Sequence, residues 1–200
     1  MKKETILIVA VAVLLGVVIG TSFIKSDDYN DMRHDHAVHK ESLPDAMGEH
    51  AGHMMPMMVS SEREFIEMMI PHHEEAVATA KEVLARGATT PEMQGLASGI
   101  ITAQEKEIAD MKGWYEEWYG VSYSDNGTYE PMMRELANLS AAELDKAFLE
   151  DMIMHHMGAI MMARSVEKYI NHDELRELTA SIIETQTEEI EYMNHELSHF

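Results

Sequence analysis

Two adjacent histidine pairs, His72-His73 and His155-His156, are the residues of this 200-residue chain best suited to chemistry. Each pair follows a methionine by three positions, giving Met69-x-x-His72 and Met152-x-x-His155. Ferritin-like di-metal proteins set Glu-x-x-His at that i, i+3 spacing on two helices, with both side chains facing inward. Here a thioether stands where the carboxylate would be. Thioether with imidazole suits Cu(I), and the equally soft Ag(I), and suits Fe, Mn or Mg poorly. A thioether needs no deprotonation, so it keeps binding in acid. The plain alternatives are Met as core filler and His as a hydrogen-bonded core residue. Four imidazoles in one core are costly without partners, which weighs against the plain alternatives.

The pairs belong to a pattern written twice. Residues 64–80 read E-F-I-E-M-M-I-P-H-H-E-E-A-V-A-T-A, and residues 147–163 read A-F-L-E-D-M-I-M-H-H-M-G-A-I-M-M-A. Phe, Met, His, His and Ala coincide at a constant offset. A second block repeats further on, with Ile100, Ile101, Gln104, Glu107, Ile108 and Met111 set against Ile182, Ile183, Gln186, Glu189, Ile190 and Met193. A two-part unit that recurs with its histidines and methionines intact directs attention to them.

Four helices must position these residues. The first is expected over about Glu62 to Arg86, opened by a capping box of Ser61 and Glu64 and ended by Gly87. The second starts at Thr90-Pro91 and stops before Gly120. The connection 120–139 has turn chemistry at Asp125-Asn126-Gly127 and a candidate short helix from Pro131 to Ala137. The third helix opens with Ser140 and Glu143 and runs to about Tyr169; the fourth runs from Asp173 to the C-terminus. The pattern holds no strand signal. The expectation is an all-α, ferritin-like four-helix bundle over residues 61–200, made of two repeated hairpins at 61–119 and 140–200, with an N-terminal transmembrane helix.

On the first and third helices, both histidines of each pair fall within the apolar stripe, beside Phe65, Met69 and Ala76 or beside Met152 and Ala159. Gln104 and Gln186 lie central on their helices and are expected to hydrogen-bond the outer nitrogen of a ligating histidine. Glu107 and Glu189 lie off the stripe and are expected to stay solvated. Pro71 removes a backbone donor beside the first pair and should kink the helix there. The core ligand candidates are thus His72, His73, His155, His156, Met69 and Met152, with Met68, Met111, Met162 and Met193 in support.

A second set lies outside the core. Met154, Met157 and Met161 fall on the face of the third helix turned away from the apolar stripe. Residues 26–60 lack periodicity and carry His34, His36, His39, His50, His53, Met54, Met55, Met57 and Met58 among scattered Pro and Gly. His-rich and Met-rich tracts of this kind read as metal capture by a flexible arm. The arm could share a soft ion with the outer methionines. Trp114, Tyr115 and Trp118 read as a cap on the core, and His172, His195 and His199 as surface residues.

Composition bounds what remains. There are 19 Met, 12 His and no Cys, so disulfides and thiolate metal sites are excluded. A formal charge of −21 argues against nucleic acid and anionic lipid as partners, and raises the local concentration of cations. Thr5 to Ile24 is uncharged and apolar, about a bilayer core in length, and Lys2-Lys3 precede it. That places the remainder outside the cytoplasm, periplasmic or at the cell surface. A cleaved signal peptide is the competing reading and would leave the chain secreted. Its nearest small-x-small site, Val18-Ile19-Gly20, is poor, so an uncleaved anchor over residues 1–25 is expected.

At Phe65 to Val77 and Phe148 to Ala163 the chain resembles the exported ferritin-like proteins of the domain-of-unknown-function family numbered 305, which includes CopM-type copper-binding proteins. The resemblance covers roughly residues 60–200. It implies a four-helix bundle outside the cytoplasm that binds copper and contributes to copper tolerance, with no established enzymatic activity. The resulting expectation is an extracytoplasmic copper-binding protein for buffering, storage or delivery, Cu(I) favoured. A homo-oligomer and a copper-transfer partner both remain open. The rivals are a ferritin-like metal oxidase, favoured if Glu107 and Glu189 reach the metal, and an interaction bundle that binds no metal.

Overall fold

The computed structural model describes residues 57–200. The expected anchor and all of the arm before Met57 lie outside the described residues. Four α-helices follow one another: α1 Glu62–Arg86, α2 Pro91–Tyr119, α3 Ala141–Val166 and α4 Asp173–Leu197, with a 3-10 turn Glu167–Tyr169 between the last two. Among the described residues there is no strand, and no helix is long and apolar enough to cross a membrane. The helix expected at Pro131 to Ala137 does not form; that stretch is an extended connection held by side chains instead.

The helix starts follow local chemistry. Ser61 Oγ accepts from Glu64 N at 3.1 Å, while the Glu64 carboxylate accepts from Ser60 N at 2.7 Å, so the capping box closes one residue earlier than expected. Thr90 Oγ1 accepts from Met93 N at 3.2 Å ahead of Pro91. Glu143 reaches back to Ser140 N at 2.9 Å. Gly120 ends α2 in the left-handed region, at φ 69. Gly87 ends α1 for another reason. Its φ is −111, and a Cβ there would meet Asp145 Oδ1 at 2.5 Å, so close approach, and not a left-handed turn, demands the glycine.

Helix α1 packs on α2 and α3 on α4, and the two hairpins meet chiefly through α1 against α3. A pair of buried carboxylates ties them at opposite ends. Glu62 accepts from Asn171 N at 2.6 Å and His172 N at 2.9 Å, in the link between α3 and α4. Asp145, which the repeat alignment sets against Glu62, accepts from Ala88 N at 2.6 Å and Thr89 N at 2.8 Å, in the link between α1 and α2. Each hairpin therefore satisfies backbone donors of the other, as buried polar groups require.

The apolar interior divides into two clusters. Phe65, Met69, Ile108, Met111, Ala159, Met162 and Ile182 belong to one. Ala76, Ile100, Phe148, Met152 and Met193 belong to the other. On every helix the residue lying between the two clusters is polar: His72 and His73 on α1, Gln104 on α2, His155 and His156 on α3, Gln186 on α4, all buried. Because Met69 shares a cluster with Ala159, and Met152 with Ala76, α1 and α3 run antiparallel through this polar layer.

Candidate metal centre

The four core histidines are fully buried, and none of Nδ1 and Nε2 of His72, Nδ1 of His73, Nδ1 and Nε2 of His155, or Nδ1 of His156 has a hydrogen-bond partner. Apolar spacing on α1 and α3 puts them there, since each pair straddles the stripe that must face the neighbouring helix. Unpaired buried donors and acceptors are rare in folded proteins, and a concentration of them is a sign of function. The His72 and His155 rings meet with centroids 3.6 Å apart, and Tyr129 stands edge-on to His72 at 5.8 Å.

Two of the four rings are oriented by carboxylates. His73 Nε2 lies 2.7 Å from Glu107 Oε2, and His156 Nε2 lies 2.7 Å from Glu189 Oε2. This overturns the expectation that Glu107 and Glu189 are solvated. Each helical turn of α2 and α4 that presents glutamine to the core also brings the glutamate three residues on to the rim, within reach of a ring on the next helix. The glutamines do not take that part: Gln104 Oε1 and Gln186 Oε1 are themselves buried and unpartnered. A carboxylate that accepts from Nε2–H orients the ring and leaves Nδ1 as the nitrogen turned toward the core. It also engages the two carboxylates that an oxidase would turn on its metal.

The other two rings differ from each other. His155 Nε2 is 3.2 Å from Glu75 Oε2, close enough for the charge to act but without hydrogen-bond alignment. Burial lowers the His155 pKa, and Glu75 opposes this only in part. His72 has no carboxylate. Burial, and then repulsion from His155, His73 and His156, holds it well below the usual histidine range. Burial alone would raise Glu75; contact with His155, the Tyr129 hydroxyl and Met133 N brings it below the usual carboxylate value. The shifts of His72 and His155 favour neutral imidazoles, the form that binds a metal ion, while the ionised Glu75 acts against this at His155.

The supporting methionines line both sides of the histidine layer. Met69, Met111 and Met162 belong to the cluster on one side, Met152 and Met193 to the cluster on the other, and all are buried. Met69 and Met152 are therefore not a pair at one point but flank the layer from opposite faces. Met68 is only partly buried, and its sulfur accepts from Thr128 Oγ1 at 3.6 Å. Met154, Met157 and Met161 are partly buried, not exposed. Met161 packs against the cluster that contains Met57, and Val59 N donates to Ser165 Oγ at 3.0 Å, so the last residues of the expected arm lie docked on the bundle. Met57 is thus a core residue, while Met58 is exposed. Met54, Met55, His34, His36, His39, His50 and His53 lie outside the described residues.

Two features escaped the sequence. Met132, in the connection, reaches the histidine layer: both its Sδ and Cε lie 3.5 Å from where a Cβ on Gly158 would be. A loop methionine has no periodicity to betray it. His172 is not a free surface residue; it stacks on Trp118 at 3.7 Å and pairs with Glu62 at 3.0 Å. Trp114 and Trp118 stack on each other at 5.6 Å, at the margin of the first cluster. Among the described residues, one group brings three His or carboxylate ligand atoms within 4.8 Å of one another: the peripheral trio His195, Glu196 and His199. The core histidines do not converge in that way.

Comparison with known proteins places this arrangement. A family profile described as "Domain of unknown function (DUF305)" matches residues 27–115 and 62–197. No curated protein matches. A solved structure of CopM in the Ag-bound form is 32% identical, with a TM-score of 0.64, over 71% of this chain and 98% of that one. CopM in the Cu(I)-bound form is 34% identical, with a TM-score of 0.63, over 70% of this chain and 98% of that one. A DUF305 fragment from Deinococcus radiodurans, 24% identical, with a TM-score of 0.61 over 72% of this chain and 99% of that fragment, shares the fold.

Proposed function

This chain belongs to the DUF305 family, and on that footing we propose that it is a copper-binding protein that holds Cu(I) in the polar layer of its bundle. The observation that carries the proposal is the set of buried imidazole nitrogens without hydrogen-bond partners, flanked on both sides by thioethers. A protein that needed only a stable core would place apolar side chains there. Cys is absent, so the soft donors are thioethers, and neutral imidazoles complete a set suited to Cu(I) and Ag(I). CopM structures solved with Cu(I), Cu(II) and Ag bound support copper and silver as the ions.

In this reading His72, His73, His155 and His156 are the nitrogen donors, and Met69, Met111, Met152, Met162 and Met193 supply sulfur. Glu107 and Glu189 orient two of the rings. The apolar segment Thr5–Ile24 after Lys2-Lys3 supports a location outside the cytoplasm, tethered to the membrane. There the protein would buffer, store or deliver copper and add to copper tolerance. The His/Met-rich residues 34–55, with the exposed Met58, would capture ions ahead of the core.

The test is an anaerobic titration of residues 26–200 with Cu(I) against a chromophoric competitor, followed by metal analysis and a zinc challenge. Tight Cu(I) binding that survives a large excess of Zn(II) is expected. Displacement by zinc at comparable concentration, or no Cu(I) uptake, contradicts the proposal.

A further inference from the structure

We infer that the tightest ion sits asymmetrically in the histidine layer, between His72 Nε2 and Met132 Sδ, in a gap that Gly158 keeps open. This rests on the copper-binding reading above and adds a ligand from outside the helices.

The asymmetry starts in the sequence. In the aligned halves Glu75 of α1 stands opposite Gly158 of α3. Glu75 sets a carboxylate 3.2 Å from His155 Nε2. Gly158 sets nothing against His72, whose two nitrogens are both buried and unpartnered. A Cβ on Gly158 would lie 3.3 Å from His72 Nε2 and 3.5 Å from Met132 Sδ. An imidazole nitrogen and a thioether sulfur thus border one small space beside a helix that has given up a side chain there. Glycine inside a helix is unfavourable relative to alanine, so its presence needs a reason, and room for an ion between two soft donors is one.

Met132 is held in place from both sides. The Glu75 carboxylate accepts from the Tyr129 hydroxyl, and from Met132 N and Met133 N at 2.9 Å each. On the other side Asp151 accepts from Arg134 N at 2.9 Å and Arg134 Nε at 2.8 Å. The connection is therefore clamped to α1 and to α3 on either side of Met132. The same Glu75 that neighbours His155 positions the thioether that serves His72. Met132 is only partly buried while His72 is fully buried, so the methionine is the member of the pair that solvent can reach. An incoming ion would meet the sulfur first.

Two variants test this. Met132→Leu keeps the packing and removes the sulfur. Gly158→Ala fills the gap, and at 3.3 Å from the ring it asks for a shift of only a few tenths of an ångström. Each should weaken the tightest Cu(I) by at least about tenfold in the anaerobic competition titration. Helical circular dichroism should be unchanged in both. X-ray absorption of protein loaded with one equivalent of Cu(I) should lose a sulfur scatterer in Met132→Leu. If the unaltered protein takes up no Cu(I), the copper reading itself fails and this inference with it. If the unaltered protein binds Cu(I), and both variants bind within about twofold of it with the same sulfur signal, copper binding stands and this placement of the ion is wrong.

Discussion

The imidazoles of His72 and His155 lie against each other across α1 and α3, with ring centroids 3.6 Å apart and planes inclined by 35°. Two rings this close cannot both be protonated without strong repulsion, and burial already disfavours either charge. The contact therefore favours neutral rings and makes the layer costly to keep in the core without a partner.

The acid response has a definite sign. Both rings have folded-state pKa values below the ordinary 6.5, His72 well below it. Between the folded and unfolded values the unfolded chain binds more protons. Stability of the metal-free bundle is therefore full above about pH 6.5 and falls as the pH drops below it. Glu75, lowered from 4.5, adds a further loss as the pH falls below its unfolded value. Urea midpoints of metal-free protein should decline steadily from about pH 7 to about pH 5. A constant midpoint across that window contradicts the assignment of neutral, unpartnered rings.

Removing a buried polar group that has no partner should stabilise the apo protein. His72→Leu is expected to raise unfolding stability by about 1–3 kcal/mol, the cost of an unsatisfied buried group, while abolishing the tightest Cu(I) binding. Denaturant unfolding and competition titration on the same sample check both halves. A loss of stability would mean that the ring finds a partner in the apo state.

The two carboxylate–histidine pairs should respond unequally. Glu107→Ala strands His73 Nε2 at a position where the carboxylate is only 16% exposed, and Glu189→Ala strands His156 Nε2 where it is 29% exposed. Water replaces the second partner more readily. Each variant should weaken Cu(I) by roughly 10–100-fold, with Glu107→Ala the worse. It should also cost more stability, within about 1–3 kcal/mol. The reverse order in thermal unfolding, or no change in copper affinity, would count against these pairs as orienting contacts.

Asp145 should matter for folding alone. It accepts from Ala88 N, Thr89 N and Thr89 Oγ1 at 2.6, 2.8 and 2.6 Å, and Asp145→Ala leaves those donors without it. Destabilisation on the order of 3 kcal/mol is expected. Copper affinity measured well below the melting temperature should not change, because this clasp lies at the far end of the second cluster from the polar layer. A copper defect in the folded variant would show coupling between the clasp and the histidines.

Much of this molecule follows from local rules. Helix starts at Ser61, Thr90 and Ser140 come from side chains that satisfy the first free amides, and the burial of both histidine pairs comes from 3.6-residue periodicity on an apolar stripe. The absence of Cys leaves Met as the soft side-chain donor available to any site before geometry is considered. What the tertiary structure decided concerns distances between elements that no periodicity encodes. Glu107 and Glu189 sit off the apolar stripe of their own helices, yet the packing of α2 on α1 and of α4 on α3 carries them to a ring on the neighbour. Antiparallel packing sends Met69 and Met152, identical by pattern, to opposite sides of the layer. Met132 sits in an aperiodic connection, and only the clamps at Glu75 and Asp151 bring it to His72. The repeated sequence itself breaks the match by setting Glu75 against Gly158, but only packing brings Met132 beside Gly158, because the chain between the halves can cross just one side of the bundle.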